Sequence, residues 1–404
     1  MLKEEDKRII NFLGILINDK SKHVNLHYYI NNPDETIRWI YPKRTSFPSF
    51  LNFYSTSNFK SKLIAFFIKS LFRLKLGKLV KSGEIDFTII ENGILDKLLN
   101  KYDCTGYSIF TGTIGVNRKV ILELNRNGKS IVFVKIAVSD SAKLLISNEV
   151  DNLSFLRKQD FEFINTPTLL GFDKEFGILE LSNIKSKNSI QVNEFTLLHA
   201  QCLEELYLKT NTEIKGTKNS FFDEINSNIS SSLMLLRKND FKVGDYDMSN
   251  MFKNLELLNS KINLNDDVWT SLAHRDFTPW NMYVNEEKLN VFDWELAEFE
   301  TPLFYDYFHF IFQSSILIER KDYKQIIDSI QKTSELPEVK RIVSKYNIDL
   351  NKYYSYYLVY VCSYYLNKYL NQENLHVQVY WLLDVWNSAL SDLIESKEII
   401  VNEK

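Results

Sequence analysis

The chain has 404 residues, 45% of them hydrophobic and 25% charged, with a formal net charge of −3; this balance fits a folded protein of two or three domains. Aromatic residues at 14% exclude wholesale disorder, and a pI near 6.2 argues against nucleic-acid binding driven by charge. Cys104, Cys202 and Cys362 are too few and too scattered for a disulfide framework or a metal knuckle, the charged start is unlike a secretory signal, and no apolar run nears the roughly 20 residues of a membrane span, so a reduced, cytoplasmic protein is expected.

Residues 1–105 hold 17 Lys+Arg against 11 Asp+Glu, and the remainder 32 against 41, so a basic head precedes an acidic body. Trp39–Pro42 and Phe47–Phe50 read as an aromatic-rich loop. Phe59–Lys81 carries seven basic residues and no acidic one, with Leu63, Phe66, Phe67, Leu71 and Leu74 at near-helical spacing. Two readings stand for it. Either the apolar side packs on its own domain, or the helix makes peripheral contact with an anionic membrane surface through 59–81. No chemistry follows from residues 1–104, which are taken as an N-terminal extension, partly helical and basic.

From Tyr107 the pattern turns to strands. Tyr107–Thr111, Arg118–Leu124 and Ser130–Val138 are rich in β-branched and aromatic residues, and Asn125–Gly128 between the last two predicts a hairpin turn. A helix is expected over Ser141–Lys158, and two further strands at Thr168–Gly171 and Ile178–Leu181. After Val192 the pattern is mostly helical. The expected fold class is α+β: a small β-rich lobe at 105–183, then a helical lobe at 184–404 that carries the catalytic loop and the acceptor site.

The strongest chemical signal is His274-Arg275-Asp276-Phe277-Thr278-Pro279-Trp280-Asn281, followed at 291–295 by Val-Phe-Asp-Trp-Glu. Phosphoryl transfer needs a carboxylate to orient and deprotonate the acceptor hydroxyl, and oxygen ligands to hold magnesium on the phosphates. Asp276 suits the first role. Asn281 and Asp293 suit the second, because Mg²⁺ is a hard cation that prefers carboxylate and amide oxygens.

The HxDxxxxN loop followed by an apolar-apolar-Asp strand resembles the catalytic core of the aminoglycoside phosphotransferase and choline kinase family, relatives of protein kinases. The resemblance covers about 107–306; residues 1–100 lie outside it. It implies a bilobal, protein-kinase-like fold and use of ATP with Mg²⁺. It implies that Lys135, within Phe133-Val134-Lys135-Ile136, pairs with ATP phosphates, and that Glu149 on the next helix holds this lysine, with Asp151 as the competitor. Gly112, Thr113 and Gly115 lie where a phosphate-covering loop belongs, although the run is not GxGxxG. Glu180 and Leu181 would offer backbone groups to the adenine edge. His274 and Arg275 would shape the loop, and Asp306 would anchor a helix beneath it.

Only eight residues separate Asp293 from Pro302, which leaves no room for the long activation segment of a protein kinase. A small hydroxylated acceptor is therefore favoured: a sugar, an aminosugar or an amino alcohol, the cationic ones suiting the acidic body. Tyr356, Tyr357, Tyr360, Tyr364, Tyr365, Trp381 and Trp386 fit a core at helical spacing better than an acceptor cage. The alternatives are an inactive nucleotide-binding regulatory or scaffold protein and, less favoured, a protein kinase.

Overall fold

Alternating apolar residues build a nine-stranded sheet in the first half of the computed structural model, which describes residues 4–17, 26–32, 35–43, 45, 47–53, 59–112, 115, 117–186, 188–243, 246–371, 375, 377–395 and 400. The chain divides into two units. The first is 1–160, 165–187 and 291–295; the second is 161–164, 188–290 and 296–404.

The first unit opens with α1 (Glu4–Phe12), β1 (Ile15–Ile17), β2 (Leu26–Asn31), β3 (Ile37–Pro42), α2 (Phe59–Arg73), β4 (Gly83–Ile89) and α3 (Ile94–Lys101). It continues with β5 (Gly106–Phe110), β6 (Lys119–Arg126), β7 (Lys129–Ala137) and α4 (Asp140–Leu156); after the short β8 (Ile164–Asn165) come β9 (Leu169–Asp173) and β10 (Ile178–Ser182). The strand order is β1-β4-β2-β3-β5-β6-β7-β10-β9. The β6–β7 hairpin closes at Asn127-Gly128, and both residues take positive φ, 52° and 77°, as a tight two-residue turn requires.

Residues 1–104 are not a separate extension. Strands β1–β4 lie in the same sheet as β5–β7, β9 and β10, and β3 pairs with β5 through Trp39↔Phe110 and Ile40↔Ile109. Leu13, Ile40, Phe87 and Leu95 join Ile109, Leu122 and Val134 in one buried cluster. The aromatic run Trp39–Pro42, expected as a loop, is most of β3. Its partner strand β2 supplies the ladder that makes it extended, and that partner is hard to see because its own pattern is broken by polar residues.

On the other face of the sheet α2 seats Ala65 and Phe72 against Tyr28, Trp39, Tyr41 and Phe50. Packing of the whole apolar side, one of the two readings of this helix, does not hold. Leu63, Phe66 and Phe67 are exposed and Leu71 is half-buried.

The second unit contains α5 (Leu197–Thr210), β11 (Thr212–Lys215), α6 (Ser220–Lys238), β12 (Lys242–Val243), β13 (Tyr246–Asp247), α7 (Ser249–Ser260) and β14 (Asp267–Ala273). Then follow β15 (Met282–Asn285), β16 (Lys288–Val291), β17 (Glu298–Pro302), α8 (Tyr305–Ser314), α9 (Tyr323–Ser334), α10 (Pro337–Tyr346), α11 (Leu350–Leu370) and α12 (Val377–Glu395). Helix α11 is buried along most of its length and packs against α6, α7, α8 and α12. Tyr356, Tyr357 and Tyr360 are core, as is Trp386, whereas Trp381 is exposed. The β-rich first part and helical second part agree with the α+β expectation.

Because residues 1–104 share the core of the sheet, Phe87→Ala should cost about 3–5 kcal/mol, the usual range for truncating a buried Phe. Urea denaturation monitored by circular dichroism measures it. A loss below about 1 kcal/mol, the scale of a surface substitution, would detach β4 from the core.

Candidate active site

Lys135 lies on β7, a central strand, and is buried although Phe133 and its cross-strand partner Ile121 on the same face are half-buried. Its ammonium is within 2.6 Å of Glu149 Oε2, 2.8 Å of Oε1 and 2.5 Å of Asp293 Oδ1. Burial works against this charge, but Asp293, Glu149 and Glu295 together hold the lysine above its ordinary range. Burial in turn pushes the Glu149 carboxyl up, further than Lys135 draws it down. Asp151, the competitor for this place, is exposed.

Helix α4 sets this geometry. Ser139 caps its N-terminus by accepting from the Ala142 N–H. Spacings of three and four residues then put Asn148, Glu149 and Asn152 on one side. Asn148 Nδ2 donates to the Glu295 carbonyl at 2.9 Å, and Asn152 Nδ2 to the Trp294 carbonyl at 3.2 Å. The helix therefore holds both the lysine and the backbone of 294–295. Asp293 itself has φ 71°. A left-handed non-glycine residue costs on the order of 1–3 kcal/mol and tends to persist at functional positions.

Lys119, the first residue of β6, was not singled out from sequence, nor was a role given to Glu295. The two form an ion pair, and Lys135 Nζ lies 4.0 Å from the same carboxylate. Ile121 is the cross-strand partner of Lys135, and Lys119 is two residues before it, so both lysines project from one face of the sheet. The signal was present as a Lys two positions from the partner of another Lys, but it needed the register to be read. Gly112 has φ +81°, and a Cβ there would come within 2.1 Å of the Lys119 carbonyl oxygen. A side chain at 112 would displace the start of β6. Arg118 Nε also donates to the Thr111 carbonyl at 2.9 Å, which closes the base of the loop. Gly115 sits within this loop, and Thr113 lies outside the described residues.

Glu180 and Leu181 fall inside β10, with β7 on one side and β9 on the other; the register against β9 shifts between them. The Glu180 carboxylate accepts from Lys101 Nζ at 2.6 Å and from the Tyr102 hydroxyl. Its side chain is thus committed to the end of α3.

In the second unit the loop after β14 is built around Asp306. This fully buried carboxylate accepts the His274 N–H at 2.6 Å and the Arg275 N–H at 2.9 Å. Burial raises its pKa, opposed by His274, His309 and the two N–H donors. Arg275, at φ 61°, turns inward. Its Nη1 donates to Glu224 Oε2 and to the Tyr360 hydroxyl, each at 3.0 Å, and the guanidinium lies 4.8 Å from the Tyr360 ring centre. Glu224 had no part in the sequence reading and Tyr360 entered it only as a core tyrosine, because they lie 51 residues before and 85 residues after Arg275.

Asp276 follows, with its side chain about one quarter exposed. Asn281 Nδ2 donates to Asp276 Oδ2 at 2.8 Å and to its carbonyl at 3.0 Å. Pro279 opens the short 3₁₀ turn that brings Asn281 back to Asp276, where a fixed φ is already in place. With Nδ2 so used, the amide's Oδ1 remains as an oxygen donor for a hard cation. His309, fully buried on α8, puts Nε2 3.6 Å from Asp276 Oδ1. The structure thus gathers Lys135, Glu149 and Asp293 in one unit, and Asp276 and Asn281 in the other.

If the Lys135 charge is what balances Glu149, removing it alone leaves a buried carboxylate without a partner. Lys135→Met should then cost about 3–5 kcal/mol, and Lys135→Met with Glu149→Leu should regain most of it. Urea denaturation of both variants measures the difference. Equal losses in the single and the double variant would show that the pair contributes little.

No protein-family model matches the chain, and no curated protein matches it. Among solved structures, it is similar to the streptomycin–ATP–APH(2")-IIa ternary complex at 12% identity and TM-score 0.47, over 76% of this chain and 97% of the other. It is similar to spectinomycin phosphotransferase APH(9)-Ia in complex with ADP and spectinomycin at 15% identity and TM-score 0.43, over 75% and 98%. A choline/ethanolamine kinase family protein from Mesorhizobium loti aligns at 10% identity and TM-score 0.41, over 72% and 89%.

Proposed function

We propose that this chain is an ATP-dependent phosphotransferase acting on a hydroxyl group of a small molecule, a sugar, an aminosugar or an amino alcohol. The observation that carries the reading is the Lys135 ammonium fixed between Glu149 and Asp293, in a chain that also presents Asp276 and Asn281 on a pinned loop. Phosphate oxygens would bind to Lys135, and Lys119 would add a second cation beside it. Asp293 would offer a carboxylate oxygen and Asn281 an amide oxygen, each a ligand type that suits Mg²⁺. The cation, when bound, neutralises charge on the phosphates.

Asp276 would accept the acceptor hydroxyl proton as the new O–P bond forms at the γ-phosphorus. The bond from that phosphorus to the bridging oxygen breaks, and ADP leaves with its electron pair. Asn281 and Thr278 keep the carboxylate oriented, through Oδ2 at 2.8 Å and Oδ1 at 3.4 Å. A small acceptor is supported by the chain after Asp293: β17 begins at Glu298 and α8 at Tyr305, with no segment long enough to dock a peptide.

The test is a product screen of the purified full chain with Mg·ATP against sugars, aminosugars, amino alcohols and nucleosides, read by mass spectrometry. With the acceptor in hand, Asp276→Ala should lower turnover roughly 10²–10⁴-fold with nucleotide affinity nearly unchanged. Asp293→Ala should abolish Mg²⁺-dependent nucleotide binding. Undiminished turnover in Asp276→Ala would remove it as the base, and a wild-type chain that binds no nucleotide would remove the reading itself.

Loss of Lys119 should weaken binding of a non-hydrolysable ATP analogue roughly tenfold or more, the scale of one hydrogen bond to a charged group, and leave AMP binding unchanged. Calorimetric titration of Lys119→Ala with both ligands measures it. Equal weakening for both would assign the Lys119–Glu295 pair to stability alone.

A further inference from the structure

Helix α2 has three different sides. One, with Ala65 and Phe72, is buried against the outer face of β2 and β3. The opposite one carries Leu63, Ile64, Phe66 and Phe67, and Phe66 and Phe67 are 68% and 63% exposed. Lys69 and Arg73 lie along the border between them, both exposed. The chain leaving the helix repeats the mixture: Leu74 and Leu79 are exposed, as are Lys75 and Lys78. Single exposed apolar residues are ordinary on a protein surface, but a contiguous set along one helix marks an interaction site.

We propose that this face is a docking surface for an anionic lipid membrane, on which α2 lies parallel to the bilayer plane. Charge selects the occupant. Over 59–81 there are seven basic residues and no acidic one. A second copy meeting this face through a two-fold axis would bring like charges together. A surface of acidic headgroups above a hydrocarbon layer satisfies both components at once: the phenyl and leucyl groups enter the acyl boundary, and the ammonium and guanidinium groups stay at headgroup level. The helix lies on the membrane and does not cross it; among the described residues no helix is long and apolar enough to do so. Each basic residue near such a surface favours association roughly fivefold, and screening by salt removes this gain.

The anchoring residues sit on a helix whose buried side holds it to the sheet. Phe66 and Phe67 can therefore be changed without touching the core. The inference stands apart from the phosphotransferase reading, since binding is measured with neither nucleotide nor acceptor.

The experiment is flotation of the full chain with vesicles of phosphatidylcholine, with and without phosphatidylserine, at low and high salt. The expected result is at least roughly tenfold more bound protein on the anionic vesicles at low salt, from two or more of the basic residues acting together. Phe66→Asp with Phe67→Asp should abolish binding, and Lys69→Glu with Arg73→Glu should remove the preference for phosphatidylserine. Circular dichroism checks that both variants keep the wild-type fold. Three outcomes would overturn the proposal: no flotation at low salt, flotation that survives the Phe66/Phe67 double change, or a lipid-free dimer in analytical ultracentrifugation that this change dissolves. The last would assign the face to protein–protein contact.

Discussion

A lysine ammonium cannot remain buried in a β-sheet unless carboxylates surround it, and Lys135 imposes that condition on the first unit. Glu149 meets it from α4, which fixes how that helix lies along the sheet. Asp293 meets it from a segment distant in sequence, and residues 291–295 consequently belong to the first unit although the chain on both sides of them belongs to the second. Lys119 then compensates the excess of carboxylate that Glu295 introduces. Buried ion pairs of this kind add little net stability over apolar residues of the same size.

The second unit follows a parallel rule with backbone in place of a cation. Two N–H groups at the end of β14 have no ladder partner, since the loop turns away there. Asp306 accepts both, and it comes from the first turn of α8, so that helix and that loop are locked together. Arg275 is driven inward by the same turn and is neutralised by Glu224 and covered by Tyr360. The carboxylate of Asp276 is thus supported on rigid elements, while its own side chain is left partly accessible.

Short motifs with a chemical rationale were legible in the sequence. The HxDxxxxN loop could be read from residue type and spacing, and the family resemblance it carries is what singled out Lys135, Glu149 and Asp306. Strands β5–β7 were legible through β-branched alternation and the Asn-Gly turn. Strand β3 was not, since its extended form depends on a pairing with β2 that a sequence does not display. The Lys119–Glu295 and Arg275–Glu224–Tyr360 groupings were hidden for the same reason: they join residues 51–176 positions apart. Exposure of Phe66 and Phe67 was also beyond the sequence, because a helical apolar stripe looks the same whether it is covered or bare.

The split of the first unit along the chain has a consequence for its biosynthesis. Lys135 and Glu149 leave the ribosome well before their third partner, as Asp293 lies 158 residues after Lys135. At roughly 5–20 residues per second, that gap is about 8–30 s. During it the sheet can close around an ammonium that has only Glu149 for company, with the backbone anchors on Asn148 and Asn152 still unfilled. Residues 292–295, which follow strand 288–291, bring the last carboxylates to this ammonium. A chain interrupted before residue 291 would hold nearly the whole β-structure and yet lack its electrostatic keystone.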